Sequence, residues 1–217
     1  MPTARQFALQ IPLLLAGLCA AGACRSQDAP TVKTGTYVGI LYGQNSVGGE
    51  FDDTLVLTGP SSVFDVPRVQ SGSGAGLILG FRSAGAAFEI SYQKSNHDTT
   101  SILLGRSQAQ YRNLDLDFKF DFLAKESIRP FGLFGIGFPR LTIKGSKFDG
   151  ASFSDATYSG LGLNFGLGAA YYMFPQWAVS ATVLYRLTRF STVDGVAIDG
   201  ALKGPGMAYK LATTYTF

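Results

Sequence analysis

Apolar and polar residues alternate one by one along most of this chain. The clearest run starts at Asn113 and reads N-L-D-L-D-F-K-F-D-F. Leu114, Leu116, Phe118, Phe120 and Phe122 form one row, and Asn113, Asp115, Asp117, Lys119 and Asp121 form the other. A helix would mix these rows, whereas a strand puts them on opposite faces. The same period of two recurs in residues 36–43, 74–82, 86–94, 131–138, 160–172, 177–187 and 206–217. Together these stretches predict eight strands.

The connections between them alternate in length. Residues 44–72, 95–107, 139–159 and 188–205 are long and polar, with a short apolar piece at 54–57 that predicts a hairpin inside the first. Residues 83–85, 124–129 and 174–176 are short. In an antiparallel arrangement all the short turns then lie at one end. An even strand number, strands of roughly ten residues and this asymmetry predict an all-β fold, a closed antiparallel eight-stranded transmembrane β-barrel. The contents of the two rows agree. The bulky row (Leu161, Leu163, Phe165, Leu167 in the sixth strand) faces a row of Gly160, Gly162, Asn164, Gly166 and Gly168. Small residues suit the crowded inside of a narrow barrel. A soluble barrel would reverse this, with large apolar groups inside. Tyr171, Trp177, Tyr215 and Phe217 fall at the short-turn rim, and Tyr42, Tyr92, Tyr185 and Tyr209 at the loop rim. Two aromatic girdles are what a membrane barrel carries.

Composition narrows the class further. Charged residues make up 15% and aromatics 13%, with 27 glycines. That is too little charge for an ordinary soluble helical enzyme and too much apolar content for disorder. A net charge of +3 gives no reason to expect a nucleic-acid partner. The N-terminus has Arg5, an apolar run over Ile11–Leu18 and then Ala-Ala-Gly-Ala-Cys. These are the parts of a secretory signal, and the run is short for a spanning helix. Residues 1–24 are therefore expected to be a signal peptide, 25–34 a periplasmic linker and 35–217 the barrel. Cleavage after Ala23 and lipidation of Cys24 both fit, although Ala21 stands where a lipobox usually has Leu. The cysteines, Cys19 and Cys24, leave none for the barrel. No disulfide, cysteine metal site or cofactor is expected there.

With these features in place, the whole mature chain resembles the small bacterial outer-membrane β-barrel families, of the OmpA transmembrane domain, OmpX and opacity-protein kind. The resemblance is carried by the alternating strands, by R-P-F-G-L-F-G-I-G-F at Arg129–Phe138 and by the terminal Tyr215-Thr216-Phe217. It implies a monomer in the bacterial outer membrane, in contact with outer-membrane lipid and lipopolysaccharide. It also implies that the last strand is read by the barrel-assembly machinery, a role carried here to Tyr209, Leu211, Tyr215 and Phe217. For function it implies a structural or surface-interaction role, with four long extracellular loops.

The inward row carries nearly balanced charge: Arg82, Lys119, Arg186 and Lys210 against Glu89, Asp115, Asp117 and Asp121. Charges inside a narrow barrel persist only when paired, so a plugged polar lumen is expected; a narrow porin-like channel is the alternative. His97, in S-N-H-D-T-T-S with Ser95, Asp98 and Ser101, raises a lipid-modifying enzyme. A serine–histidine pair requires hydrogen-bond reach and an orienting acid, and no family motif surrounds it. An exposed loop histidine, and no enzyme activity, is the expectation. Arg106, Arg112, Lys144 and Lys147 could meet lipopolysaccharide phosphates or simply be solvated.

Overall fold

The computed structural model describes residues 31–52, 55–58, 63–83, 85–101, 105–123, 126–148, 150 and 152–217. The expected signal segment with Cys24, the first part of the linker, Ala84 of the first short turn and residues 124–125 of the second lie outside them. The elements are β1 (Gly35–Asn45), β2 (Leu55–Thr58), β3 (Val63–Val66), β4 (Arg68–Val69), β5 (Gly72–Ser83), β6 (Ala86–Ser101), β7 (Gly105–Asp121), β8 (Ile128–Phe148), β9 (Phe153–Tyr172), β10 (Trp177–Val193), β11 (Val196–Lys203) and β12 (Gly206–Thr216).

Eight of them form a closed antiparallel ring, β1-β5-β6-β7-β8-β9-β10-β12 and back to β1. The closing seam runs from Tyr37 opposite Thr216 to Asn45 opposite Ala208. Closure pairs the backbone of every ring strand on both sides, which a sheet in hydrocarbon requires. The remaining strands decorate the long-loop end. β2 and β3 form the hairpin expected near residues 54–57, and β3 reaches β8. β4 pairs with β6, and β11 with the end of β10.

Toward the short-turn end of the ring the bulky row faces outward. Ile40, Leu77, Phe81, Phe134, Leu167 and Leu211 are all at least half exposed or nearly so, an apolar belt suited to hydrocarbon. Higher up the pattern inverts without a break in the strands. On β8 the outward row Phe134, Ile136, Phe138 gives way to Arg140, Thr142 and Lys144, while Leu141 and Ile143 turn inward. β7 changes the same way, with Arg112 outward and Tyr111 and Ala109 inward. These inward residues join Val47, Phe51, Val66, Val69, Ala156, Tyr158, Phe190, Val193 and Leu202 in one buried cluster. The ring therefore continues beyond the belt as a water-exposed barrel with an apolar core.

This corrects three expected loops. Residues 95–107, 139–159 and 188–205 are mostly strand. Their alternate residues bury inside the ring instead of facing lipid: apolar in 139–159 and 188–205, and Ser95, His97, Thr99 and Ser101 in 95–107. The turn between β10 and β11 is the two-residue Asp194-Gly195, with φ of 50° and 80°. Positive φ at both positions is the type I′ geometry that suits a twisted hairpin.

Candidate functional site

The ring brings one face of every strand into a lumen too narrow to stay open, and side chains fill it. At its centre stands Asp115 of β7, fully buried. Its Oδ2 accepts from Arg186 Nη2 at 2.8 Å and from Lys210 Nζ at 3.0 Å. Its Oδ1 accepts from Asn164 Nδ2 at 2.7 Å and from the Asn113 side-chain amide. Four strands, β7, β9, β10 and β12, thus converge on one carboxylate. Asn164 also donates to Asp117 at 2.9 Å and accepts from Arg186 Nε at 3.1 Å. The glycine opposite makes room: a Cβ on Gly137 would stand 2.8 Å from Asp115 Oδ1.

Nearer the short-turn end, Glu89 accepts from Lys119 Nζ at 2.7 Å and from the Tyr37 hydroxyl at 3.0 Å. Below these, the Arg82 guanidinium lies between the rings of Tyr37 and Tyr172, 4.9 and 5.1 Å from their centroids. Arg129 faces Tyr172 at 4.9 Å and approaches Asp121 at 3.9 Å. Of the eight charges nominated from the sequence, Glu89, Asp115, Asp121, Lys119, Arg186 and Lys210 sit in ion pairs. Asp117 is held through Asn164, and Arg82 is held by aromatic rings. Sequence reasoning missed Tyr37, Tyr172, Asn164 and Arg129 as partners. Arg129 is not part of the short turn expected at 124–129: it is the second residue of β8, buried and pointing inward. The lumen is also less polar than expected. Phe131, Leu133, Tyr172 and Leu184 form one apolar cluster in it, and Tyr37, Leu41 and Ile78 another. They fill the space between the ion pairs.

His97 is not an exposed loop residue. It lies on β6 beyond the apolar belt, 2% exposed, facing inward. The Gln70 carbonyl, 2.8 Å from Nδ1, can only accept, so Nδ1 carries the proton. Nε2 then accepts from the Ser95 hydroxyl at 3.0 Å. Serine and histidine are within reach, but a backbone carbonyl fills the orienting position. Asp98 points to the opposite, exposed face, and Ser95 is itself buried. The contact pins the strand-like end of loop 1 to β6. Burial holds the imidazole below its ordinary pKa, against the opposing pull of the Gln70 carbonyl and Asp98. The folded hairpin therefore binds fewer protons than the open one as pH falls through about 6.5. Its stability is full above that value and declines on acidification. Hydrogen exchange at residues 68–72 is expected to quicken below about pH 6.5 relative to the intrinsic rate. A His97→Gln variant showing the same pH profile would refute this.

The terminal strand places Leu211 and Phe217 fully outward, with Tyr209 and Tyr215 half-buried. Tyr215 packs edge-on between Trp177 and Phe217, centroids 5.1 and 5.3 Å away. Arg106 and Lys144 are exposed, Lys147 pairs with Asp194 at 3.1 Å, and Arg112 binds Gln110 Oε1 through Nε at 2.7 Å. Among the described residues, no group of three or more His, Cys, Asp or Glu could hold a metal ion.

Residues 11–217 match a family model described as "Outer membrane protein beta-barrel domain". No curated protein matches in sequence. Solved structures are similar in fold. Neisserial surface protein A superposes with a TM-score of 0.59 at 14% identity, over 85% of this chain and 98% of that one. The outer membrane protein OprG of Pseudomonas aeruginosa gives 0.56 at 17%, over 88% and 99%. The attachment invasion locus protein Ail of Yersinia pestis gives 0.50 at 16%, over 86% and 100%. Each carries the same small-barrel architecture.

Proposed function

The chain belongs to the outer membrane protein β-barrel domain family, and from that footing we propose that it is a plugged barrel of the bacterial outer membrane whose role is structural and surface-presenting. The observation that carries this is the Asp115 node. Two cations and two amides, from β7 itself and from β9, β10 and β12 across the ring, close on one buried carboxylate in the middle of the lumen. Above it the apolar cluster around Phe51 and Tyr158 adds a second, dry seal. An ion crossing the barrel would have to break a desolvated ion pair and then pass a hydrocarbon core. What remains accessible is the outside end, where the long hairpins stand as a rigid crown. In this reading the crown is what the protein offers to the surroundings of the cell. The outward Tyr215, Leu211 and Phe217, with Tyr209, serve as the strand recognised by the assembly machinery.

Planar-bilayer recordings of the refolded protein test the plug. Only rare, brief current events are expected. Large and stable open steps would favour a narrow channel and sink this reading.

A further inference from the structure

On β6, β7 and β8 the first outward residue beyond the apolar belt is basic in each case. Tyr92 is followed outward by Lys94, Leu114 by Arg112 and Phe138 by Arg140. All three bases are exposed. They are also direct cross-strand neighbours: Lys94 lies opposite Arg112, and Arg112 opposite Arg140. The residues beneath them pair in the same register, Tyr92 with Leu114 and Leu114 with Phe138. Opposed side chains in a sheet stand about 5 Å apart, and like charges there repel. Among the described residues none of the three has an ion-pair partner; Arg112 is steadied by the neutral Gln110. A second such pair, Arg189 opposite Lys203, follows Leu187 on β10. At the short-turn end the outward strand positions are Phe81, Phe120, Tyr171 and Trp177, without bases. Among the described strand positions the outward bases therefore cluster at the long-loop end, whereas at the other end an exposed base, Lys33, precedes β1.

We infer that Lys94, Arg112 and Arg140 form a binding site for the phosphate groups of an outer-leaflet glycolipid of the lipid A type. The inference rests on the membrane placement argued above. Three cations in a line about 10 Å long, two strand spacings, suit a headgroup bearing more than one phosphate. Two of them are guanidiniums, whose planar fork matches phosphate oxygens. The acyl chains of the same lipid would lie on Tyr92, Leu114 and Phe138 directly below. A bound phosphate turns the repulsion along the row into attraction. This supplies the counter-charge the protein itself does not place there.

The test uses the full chain refolded into phosphatidylcholine vesicles alone, with bis-phosphorylated lipid A, or with lipid A stripped of both phosphates. After gentle extraction, lipid A bound per barrel is counted by mass spectrometry. The Lys94→Gln/Arg112→Gln/Arg140→Gln variant is expected to retain at least about tenfold less phosphorylated lipid than the wild type. Stripped lipid should be retained equally poorly by both. Fast gel migration of the unboiled variant from plain phosphatidylcholine shows that its barrel is intact. If the triple variant does not fold, Arg112→Gln alone must still lower retention, and salt must lower it in the wild type. Equal retention by wild type and variant overturns the site. So does a rise in wild-type unfolding temperature with inorganic phosphate that matches the rise with lipid A. A wild type that never acquires fast migration in any vesicle overturns the membrane placement, and the site with it.

Discussion

Replacing Asp115 by Ala is expected to destabilise the folded barrel by about 3–5 kcal/mol. The reason lies in what is left behind. Arg186 is 4% exposed and reaches Asp115 at 2.8 Å; Lys210 reaches the same oxygen at 3.0 Å. Without the carboxylate both cations remain inside the lumen, and desolvation costs several kcal/mol for each unpaired ion. Asn164 keeps an acceptor in Asp117, 2.9 Å away. Partial re-pairing with Asp117 holds the loss toward the lower end of the range. The measurement is unfolding in urea with lipid present, followed by loss of fast migration of unboiled samples on gels. A variant within about 1 kcal/mol of the wild type would mean that the node is not a buried pair in solution.

A companion variant separates charge from shape. Asp115→Leu with Arg186→Met and Lys210→Met removes the three charges of the node at similar volume and leaves Asn164 its contact with Asp117. Replacing a buried pair by apolar groups is often neutral or better, whereas breaking it is costly. The triple variant is therefore expected to be more stable than the single one. If it is worse, the packing of these side chains dominates, and the electrostatic account of the lumen fails.

The membrane-embedded half of this fold is plainly written in the chain, and the reason is physical. Lipid on one side and a cramped interior on the other force every strand residue into one of two unlike rows. The run from Asn113 to Phe122 shows this without any structure. Once parity is known, Asp115, Lys119 and Arg186 fall on the inner face. Which of them meet is a different matter, because pairing depends on stagger between strands far apart in sequence. Asp115 meets Arg186 across 71 positions. Arg129 was hidden because a short charged turn and the first residues of a strand have the same composition. Tyr37 and Tyr172 were hidden because an aromatic residue on the inner row looks like an exception, when it is the stacking partner of Arg82.

The crown was misjudged for a different reason. Its strands reverse the pattern, polar outside and apolar inside, so F-P-R-L-T-I-K at Phe138–Lys144 reads as the end of alternation. The in–out alternation runs on unbroken, but the apolar residues change face: Phe138 is outward and Leu141 inward, with Arg140 between them outward. The same change occurs where Leu114 gives way to Tyr111. Asp194-Gly195 was a legible hairpin signal, flanked by Val193 and Val196, which pair directly. His97 followed the same error. A polar S-N-H-D-T-T-S stretch suggests a loop, yet Ser95, His97, Thr99 and Ser101 are one buried face of β6. Sequence-local composition does not reveal that loop 1 folds back to cover them.

That covering role makes Phe51 the second large effect. Phe51 ends a short 3-10 turn, Gly49–Phe51, and is fully buried. Its ring meets Tyr158 and Phe190 edge-on, with centroids 5.7 and 5.2 Å away. It is the point where loop 1 plugs the upper barrel. Phe51→Ala removes a ring from a packed core, a change that costs about 3–5 kcal/mol. The loss falls on the crown, because the ring strands below are held by their own ladders and by the Asp115 node. Loop 1 is therefore expected to become sensitive to protease added outside the vesicles, with cleavage between β1 and β5. Fast migration of the unboiled barrel should survive, and so should the Asp115-dependent stability. If Phe51→Ala instead abolished membrane assembly, the crown and the spanning ring would be one cooperative unit. If protease sensitivity did not change, the apolar cluster would not be what holds loop 1 in the barrel mouth.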